Sequence, residues 1–214
     1  MDIASSFTKI KITIPFLLLF LAFQGFSQTE TSQWKFQIAF GFNNPIDDNT
    51  SDQFSTKGLN FPTINLGVQH MFTPEMGAKL DFGYNRSVND SDSPEFKLNY
   101  SRINAQFVYD FKSTFRFLPP RSTVVGHVGP GLSFSKPLGS YSNNTYTYLN
   151  GMAGLEFHFG IARTVSVYTD VSYIVGFSGK DKYDPVINGF SFNGDVITLT
   201  VGISVSLSGC YFCE

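Results

Sequence analysis

Charge is sparse in this chain, cysteine is rarer still, and tryptophan occurs once. The two cysteines, Cys210 and Cys213, form C-Y-F-C at the extreme C-terminus of 214 residues. A redox pair of that spacing wants a helix start within a thioredoxin-type βαβ unit, and the sequence around it supplies neither. A zinc site wants two more ligands, and none lies nearby. Residues 210–214 therefore read either as a dispensable tail or, in an oxidising compartment, as a small local disulfide between Cys210 and Cys213. Charged residues make up 15%, with 15 basic against 17 acidic side chains, so there is no basic excess to attract nucleic acid. Past residue 23 no apolar run approaches the about 20 residues of a membrane-spanning helix. Helical periodicity and internal repeats are also lacking.

What is present is aromatic side chains, 24 Phe and 10 Tyr, and a secretion signal. Lys9 and Lys11 precede an apolar run from Ile12 to Phe23, broken only by Thr13 and Pro15. Gly25 and Ser27 have the small-residue spacing that signal peptidase prefers, which predicts a signal peptide over 1–27 and cleavage before Gln28. No cysteine follows the run, so a lipoprotein anchor is not expected. Removing residues 1–27 leaves 187 residues with 13 basic and 16 acidic side chains, net −3.

From residue 34 to 207 the chain alternates apolar and polar residues in eight stretches. The last is the plainest: Ile197, Leu199, Val201, Ile203, Val205 and Leu207 share one face, and Thr198, Thr200, Gly202, Ser204 and Ser206 the other. Eleven alternating residues suit a bilayer-crossing strand, which takes about 9–11. The same reading predicts strands over 34–43, 61–72, 76–86, 98–111, 123–135, 146–159, 164–177 and 197–207. Pro130 interrupts the apolar face of the fifth. A strand of about 10 residues rises about 33 Å, and a tilt of about 40° reduces this to about 25 Å, the height of a barrel's apolar band.

The connections alternate in length. Thr73–Glu75 and Gly160–Arg163 are tight, whereas 44–60, 87–96, 136–145 and 178–193 are longer and rich in Asn, Asp, Ser and Gly. Short turns at one end and long loops at the other is the pattern of bacterial outer-membrane barrels, with turns and both termini periplasmic. Lys112–Arg121 is the exception, long for a periplasmic turn. Residues 28–209 thus read as one all-β domain, an eight-stranded antiparallel up-and-down transmembrane β-barrel. Aromatics fall at both of its rims: Trp34, Phe72, Tyr109, Phe111, Phe157 and Phe159 at the periplasmic edge, and Phe42, Phe61, Tyr84, Phe134, Tyr173 and Phe177 at the outer edge. A secreted soluble barrel would instead put its apolar set inside.

The opposite phase is small or polar, with Lys79, Asp81, Arg102, Glu156 and Asp170 near mid-strand. Eight strands enclose only enough room for side chains, and charges buried there must pair. The expectation is a polar, largely plugged lumen; a narrow, gated pore is the alternative. His127 and His158 share the inward phase, His158 two residues from Glu156, and Ser133 and Ser135 follow His127 on its own strand. Same-strand side chains point in parallel, and no hydrolase motif accompanies them, so no catalytic residues and no enzyme activity are expected. No metal-ligand cluster appears and no cofactor is implied. The loops carry Asp47, Asp48, Asp52, Asp90, Asp92, Glu95, Asp181 and Asp184 without calcium-loop spacing, leaving any extracellular ligand unknown.

Three segments carry a family resemblance: NLGVQHMFTPEMGAKLDFGY (Asn65–Tyr84), VVGHVGPGLSFS (Val124–Ser135) and FNGDVITLTVGISVSL (Phe192–Leu207). They resemble the strand–turn–strand units of OmpA-type outer-membrane barrels, particularly those of Bacteroidetes. The resemblance implies an eight-stranded barrel with a plugged lumen and a largely structural or surface-interaction role. It also implies contact with outer-membrane lipid and passage through the barrel-assembly machinery. Classical members continue into a peptidoglycan-binding domain, whereas this chain stops seven residues after Leu207, so peptidoglycan anchoring is not carried over. The lesser alternatives are a small-solute pore and, further off, a lipid-modifying barrel enzyme.

Overall fold

Alternation of period two places successive side chains on opposite faces of a strand, so a sheet with two different faces can curl with one face inside. The computed structural model describes residues 33–46, 56–92, 95–115, 117–177, 192 and 194–207. The expected signal peptide (1–27) and the Cys210–Cys213 pair lie outside the described residues. Eight strands follow in order: β1 (Gln33–Pro45), β2 (Asn60–Met71), β3 (Met76–Val88), β4 (Lys97–Asp110), β5 (Ser122–Pro137), β6 (Tyr146–Gly160), β7 (Val165–Gly176) and β8 (Val196–Ser206). Each pairs antiparallel with its sequence neighbour, and β1 pairs with β8, giving a closed barrel. The expected fold is borne out, and every strand end lies within two residues of its expected place.

Closure is a full ladder. It runs from Lys35 opposite Ser206 to Pro45 opposite Val196, and the Leu207 amide donates to the Trp34 carbonyl at 2.7 Å. Among the described strands no sheet edge is left to recruit another chain. Two prolines mark local departures. Pro62 falls at a β1–β2 bulge, where the register shifts between Gly41 and Asn43. Pro130 coincides with a gap in the β4–β5 ladder, yet pairing resumes in the same register, from Asn104 opposite Gly131 to Phe107 opposite Val128. A proline removes one donor without needing to move the strand. At one end of the barrel the turns are tight. Thr73 closes the β2–β3 turn, its hydroxyl accepting the Met76 amide at 2.9 Å. The other end carries the long loops, of which the described residues add one isolated bridge, Thr56 with Asn89. We call these the turn end and the loop end.

Candidate functional site

The sequence singles out two regions, the inward face and the outward rims. Inward, Lys79, Asp81, Arg102, Glu156 and Asp170 are all buried. Their partners come from across the barrel. Glu156 on β6 accepts from Lys79 Nζ on β3 at 2.5 Å, from Gln37 Nε2 on β1 at 3.0 Å, and pairs with His158 Nε2 at 2.6 Å. Lys79 also lies 3.9 Å from Asp81, which receives Arg102 Nη2 at 3.2 Å. Both Nη atoms of Arg102 also reach Asn65 Oδ1 at 3.3 Å.

Asp170 makes no direct ion pair with these cations, though its charge acts on Lys79. It pairs with His127 Nε2 at 3.2 Å, and Ser172 donates to it at 2.8 and 2.9 Å. A His, a Ser and an acid are therefore adjacent: the Ser172 hydroxyl lies 3.5 Å from His127 Nε2 but makes its shorter bonds to the carboxylate, where its proton is engaged rather than lent to the imidazole. Ser133 and Ser135, which follow His127 along β5, bond instead to Tyr100 (2.8 Å) and Tyr148 (3.1 Å).

Size alternation makes this packing fit. A Cβ on Gly83 would overlap the Arg102 guanidinium, and one on Gly154 would meet His127 Cε1 at 2.6 Å. Small residues thus leave room for the longest polar side chains of neighbouring strands. Lys35 and Asp110 extend the charged set, so the described inward face holds three cations, four carboxylates and two imidazoles. Asp110, at the turn end, receives the Thr123 hydroxyl.

One expectation needs correcting: the inward set is not uniformly small or polar. Met71, Val108 and Val125 form an apolar cluster at the turn end. Phe96, Leu98, Tyr100, Tyr148, Met152, Ile174, Phe192 and Val196 form another at the loop end, where Phe192 meets Tyr100 edge-on at 5.6 Å. Lys79, Asp81 and Arg102 lie between the two, whereas Asp110 lies beyond Val108 at the turn end. Phase alone could have found most of these, since Val108 continues the inward series Arg102, Asn104, Gln106. Assuming that inward means polar hides them.

Outward, Trp34, Phe42, Phe72, Phe134, Phe159, Tyr173 and Phe177 are exposed, and Tyr84 and Tyr109 are half-buried. His70 packs between Trp34 and Phe72, with ring centroids at 4.4 and 5.1 Å. Between the rims the surface is apolar: Phe40, Phe82 and Phe107 face outward among Leu66, Val68, Leu80, Ile103, Val128, Leu132, Leu155, Val171, Leu199, Val201 and Ile203. Exposed apolar patches above a few hundred Å² are rare on soluble monomers, and here they make a continuous belt. The core is polar and the surface apolar, inverting the arrangement of a soluble barrel.

Solved structures share this architecture. Neisserial surface protein A superposes with a TM-score of 0.56 at 12% identity, over 81% of this chain and 96% of that one. The outer membrane protein OprG of Pseudomonas aeruginosa gives 0.55 at 13%, over 85% and 99%. A major outer membrane protein of Thermus thermophilus gives 0.55 at 12%, over 82% and 99%. The fold is that of small outer-membrane β-barrels. No family model and no curated protein matches the sequence, so the likeness extends to the fold and no further.

Proposed function

We propose that the chain is a non-catalytic outer-membrane protein that crosses the bilayer as a filled barrel and serves the envelope as a structural or surface-interacting element. The outward apolar belt, with aromatics at both rims, carries this reading. In water such a belt would be a liability, whereas in a bilayer it is the surface that lipid requires. The alternation of tight turns and long loops supports turns and termini in the periplasm, delivery by a signal peptide over 1–27, and insertion by the barrel-assembly machinery. The OmpA-type resemblance fits the same placement. Charged pairs between two apolar clusters support a plugged lumen. The Ser172 hydroxyl lies closer to Asp170, at 2.8 and 2.9 Å, than to His127 Nε2, at 3.5 Å, which supports the absence of catalysis.

Cell fractionation tests the placement. The mature protein should partition with the outer membrane and migrate differently on a gel before and after boiling. A soluble protein showing no shift on boiling would overturn it.

A second reading has its own observation. Gln37 Oε1, Gln69 Oε1, Gln106 Oε1, Thr198 Oγ1 and Thr200 Oγ1 face inward without hydrogen-bond partners. Buried polar atoms of that kind are normally satisfied by water, which favours a thin wet path for small solutes. Planar-bilayer recording separates the two. A filled barrel gives no single-channel steps, and Lys79→Gln leaves the trace flat. Steps that respond to Lys79→Gln support the pore.

A further inference from the structure

The outward belt is not uniform. Across β4 to β8 it sinks into a groove of about 700 Å³ whose sides include Phe107, Tyr109, Leu155 and Val171. Its floor is low because Gly126 and Ala153 occupy outward positions where neighbouring strands carry bulky side chains. The Phe111 ring lies against Gly126, 3.0 Å from where a Cβ would stand, and closes the groove at the turn end.

There the aromatic surface continues off the barrel. Tyr109, Phe111, Phe115 and Phe117 follow one another with ring centroids at 4.8, 5.3 and 5.7 Å. Phe117, at the tip, is 81% exposed. Phe111, Phe115 and Phe117 lie in the unusually long β4–β5 connection, which from Lys112 to Arg121 contains no acidic residue. Lys112 and Arg121 are exposed on it, and Arg163 is exposed on the neighbouring β6–β7 turn. Glu75, half-buried on the β2–β3 turn, is an acid nearby, whereas the loop end carries Asp90, Asp92 and Glu95 exposed beside Lys57, Lys97 and Lys136.

We propose that this groove and its basic rim form a binding site for one acidic phospholipid of the turn-end leaflet, with an acyl chain along Gly126 and Ala153 and the phosphate at Lys112 and Arg121. The site rests on the bilayer placement above. Two observations choose the occupant. The groove opens from the lipid-facing belt, so what fills it is a membrane component. Hydrocarbon gains little from leaving hydrocarbon, so the groove alone selects nothing. Selection falls to the headgroup, and the rim presents positive charge flanked by aromatics, the chemistry of an anionic interface.

The test uses the mature protein purified in non-ionic detergent, with native mass spectrometry reading lipid retained after addition of phosphatidylglycerol or phosphatidylcholine with the same chains. Wild type should retain phosphatidylglycerol about tenfold better. Each rim cation is worth about 5-fold, so Lys112→Glu with Arg121→Glu should lower retention at least tenfold. Ala153→Phe should also lower it without changing any charge, whereas Lys57→Glu with Lys136→Glu should not. Full retention by the charge-reversed or the groove-filled variant overturns the site, as does a dimer that excludes lipid. The gel shift on boiling is scored on every sample. Its loss in wild type would sink the barrel-in-membrane reading, whereas a retained shift with no lipid preference sinks only this proposal.

Discussion

Neutralising Glu156 should be among the most damaging single changes inside the barrel. Its carboxylate lies 2.5 Å from the Lys79 ammonium and also serves Gln37 and His158. In Glu156→Gln the ammonium keeps Asp81, 3.9 Å away and already engaged by Arg102 at 3.2 Å, and beyond ion-pair distance the field of Asp170. Removing one partner of a buried pair costs about 3–5 kcal/mol, because the other charge stays buried and uncompensated. The glutamine carbonyl can still accept one bond, which places Glu156→Gln near about 3 kcal/mol and Glu156→Ala at the upper end. A loss of about 3 kcal/mol is more than a hundredfold in the folding equilibrium. Trp34 is the single tryptophan and packs on His70 at the turn-end rim, so its fluorescence reports unfolding in urea from lipid vesicles. The decisive variant is Lys79→Met with Glu156→Gln, which removes both charges. If the pair is what matters, the double change should cost less than the sum of the singles by about 2 kcal/mol. A Glu156→Gln cost below about 1 kcal/mol, or additive singles, would refute the reasoning by showing that water already solvates these groups.

Other changes probe the two faces separately. Gly83→Ala should destabilise by about 1–3 kcal/mol, since its Cβ would overlap the Arg102 guanidinium; Arg102→Met in the same chain should recover part of that loss in the same urea titration. Leu80→Arg, at the middle of the outward belt, should cost about 2–4 kcal/mol, whereas Phe72→Arg at the rim should cost about 0–1. Equal costs at the two positions, measured by unfolding from vesicles, would mean that the belt does not face hydrocarbon.

The outward face was legible because lipid imposes one demand at every second position. Ile197 through Leu207 could hardly be read otherwise, and the rim aromatics followed by counting. Inward positions obey no such single rule. The phase placed Lys79, Arg102 and Glu156 inside, but nothing local could pair them. Lys79 and Glu156 are 77 residues apart, and Gln37 and Glu156 are 119 apart. Such pairs depend on register and on which strands face one another across the barrel. His158 with Glu156 was the readable case, because i and i+2 share a face. Tyr100, Tyr148, Ile174, Val108 and Val125 were missed for a different reason. Their phase was correct, but their chemistry contradicted the idea of a polar lumen.

Those missed residues change what the interior means. A charged layer open to water at both ends would be screened, and its pairs would contribute little. Here the charged side chains are themselves buried, Met71, Val108 and Val125 partly cover the turn end, and the Phe96–Val196 cluster covers the loop end. The pairs therefore sit in low dielectric, where a satisfied network stabilises and a broken one is costly. The two covers differ in construction. The turn-end cluster is held wholly by ladder residues of β2, β4 and β5. The loop-end cluster draws Phe96 and Phe192 from outside the strands. Displacing the first means breaking the barrel, whereas in the second Phe96 and Phe192 belong to connections and the other six residues to β4, β6, β7 and β8. Phe192→Ala should expose the charged layer at the loop end, while Val125→Ala should mainly cost stability.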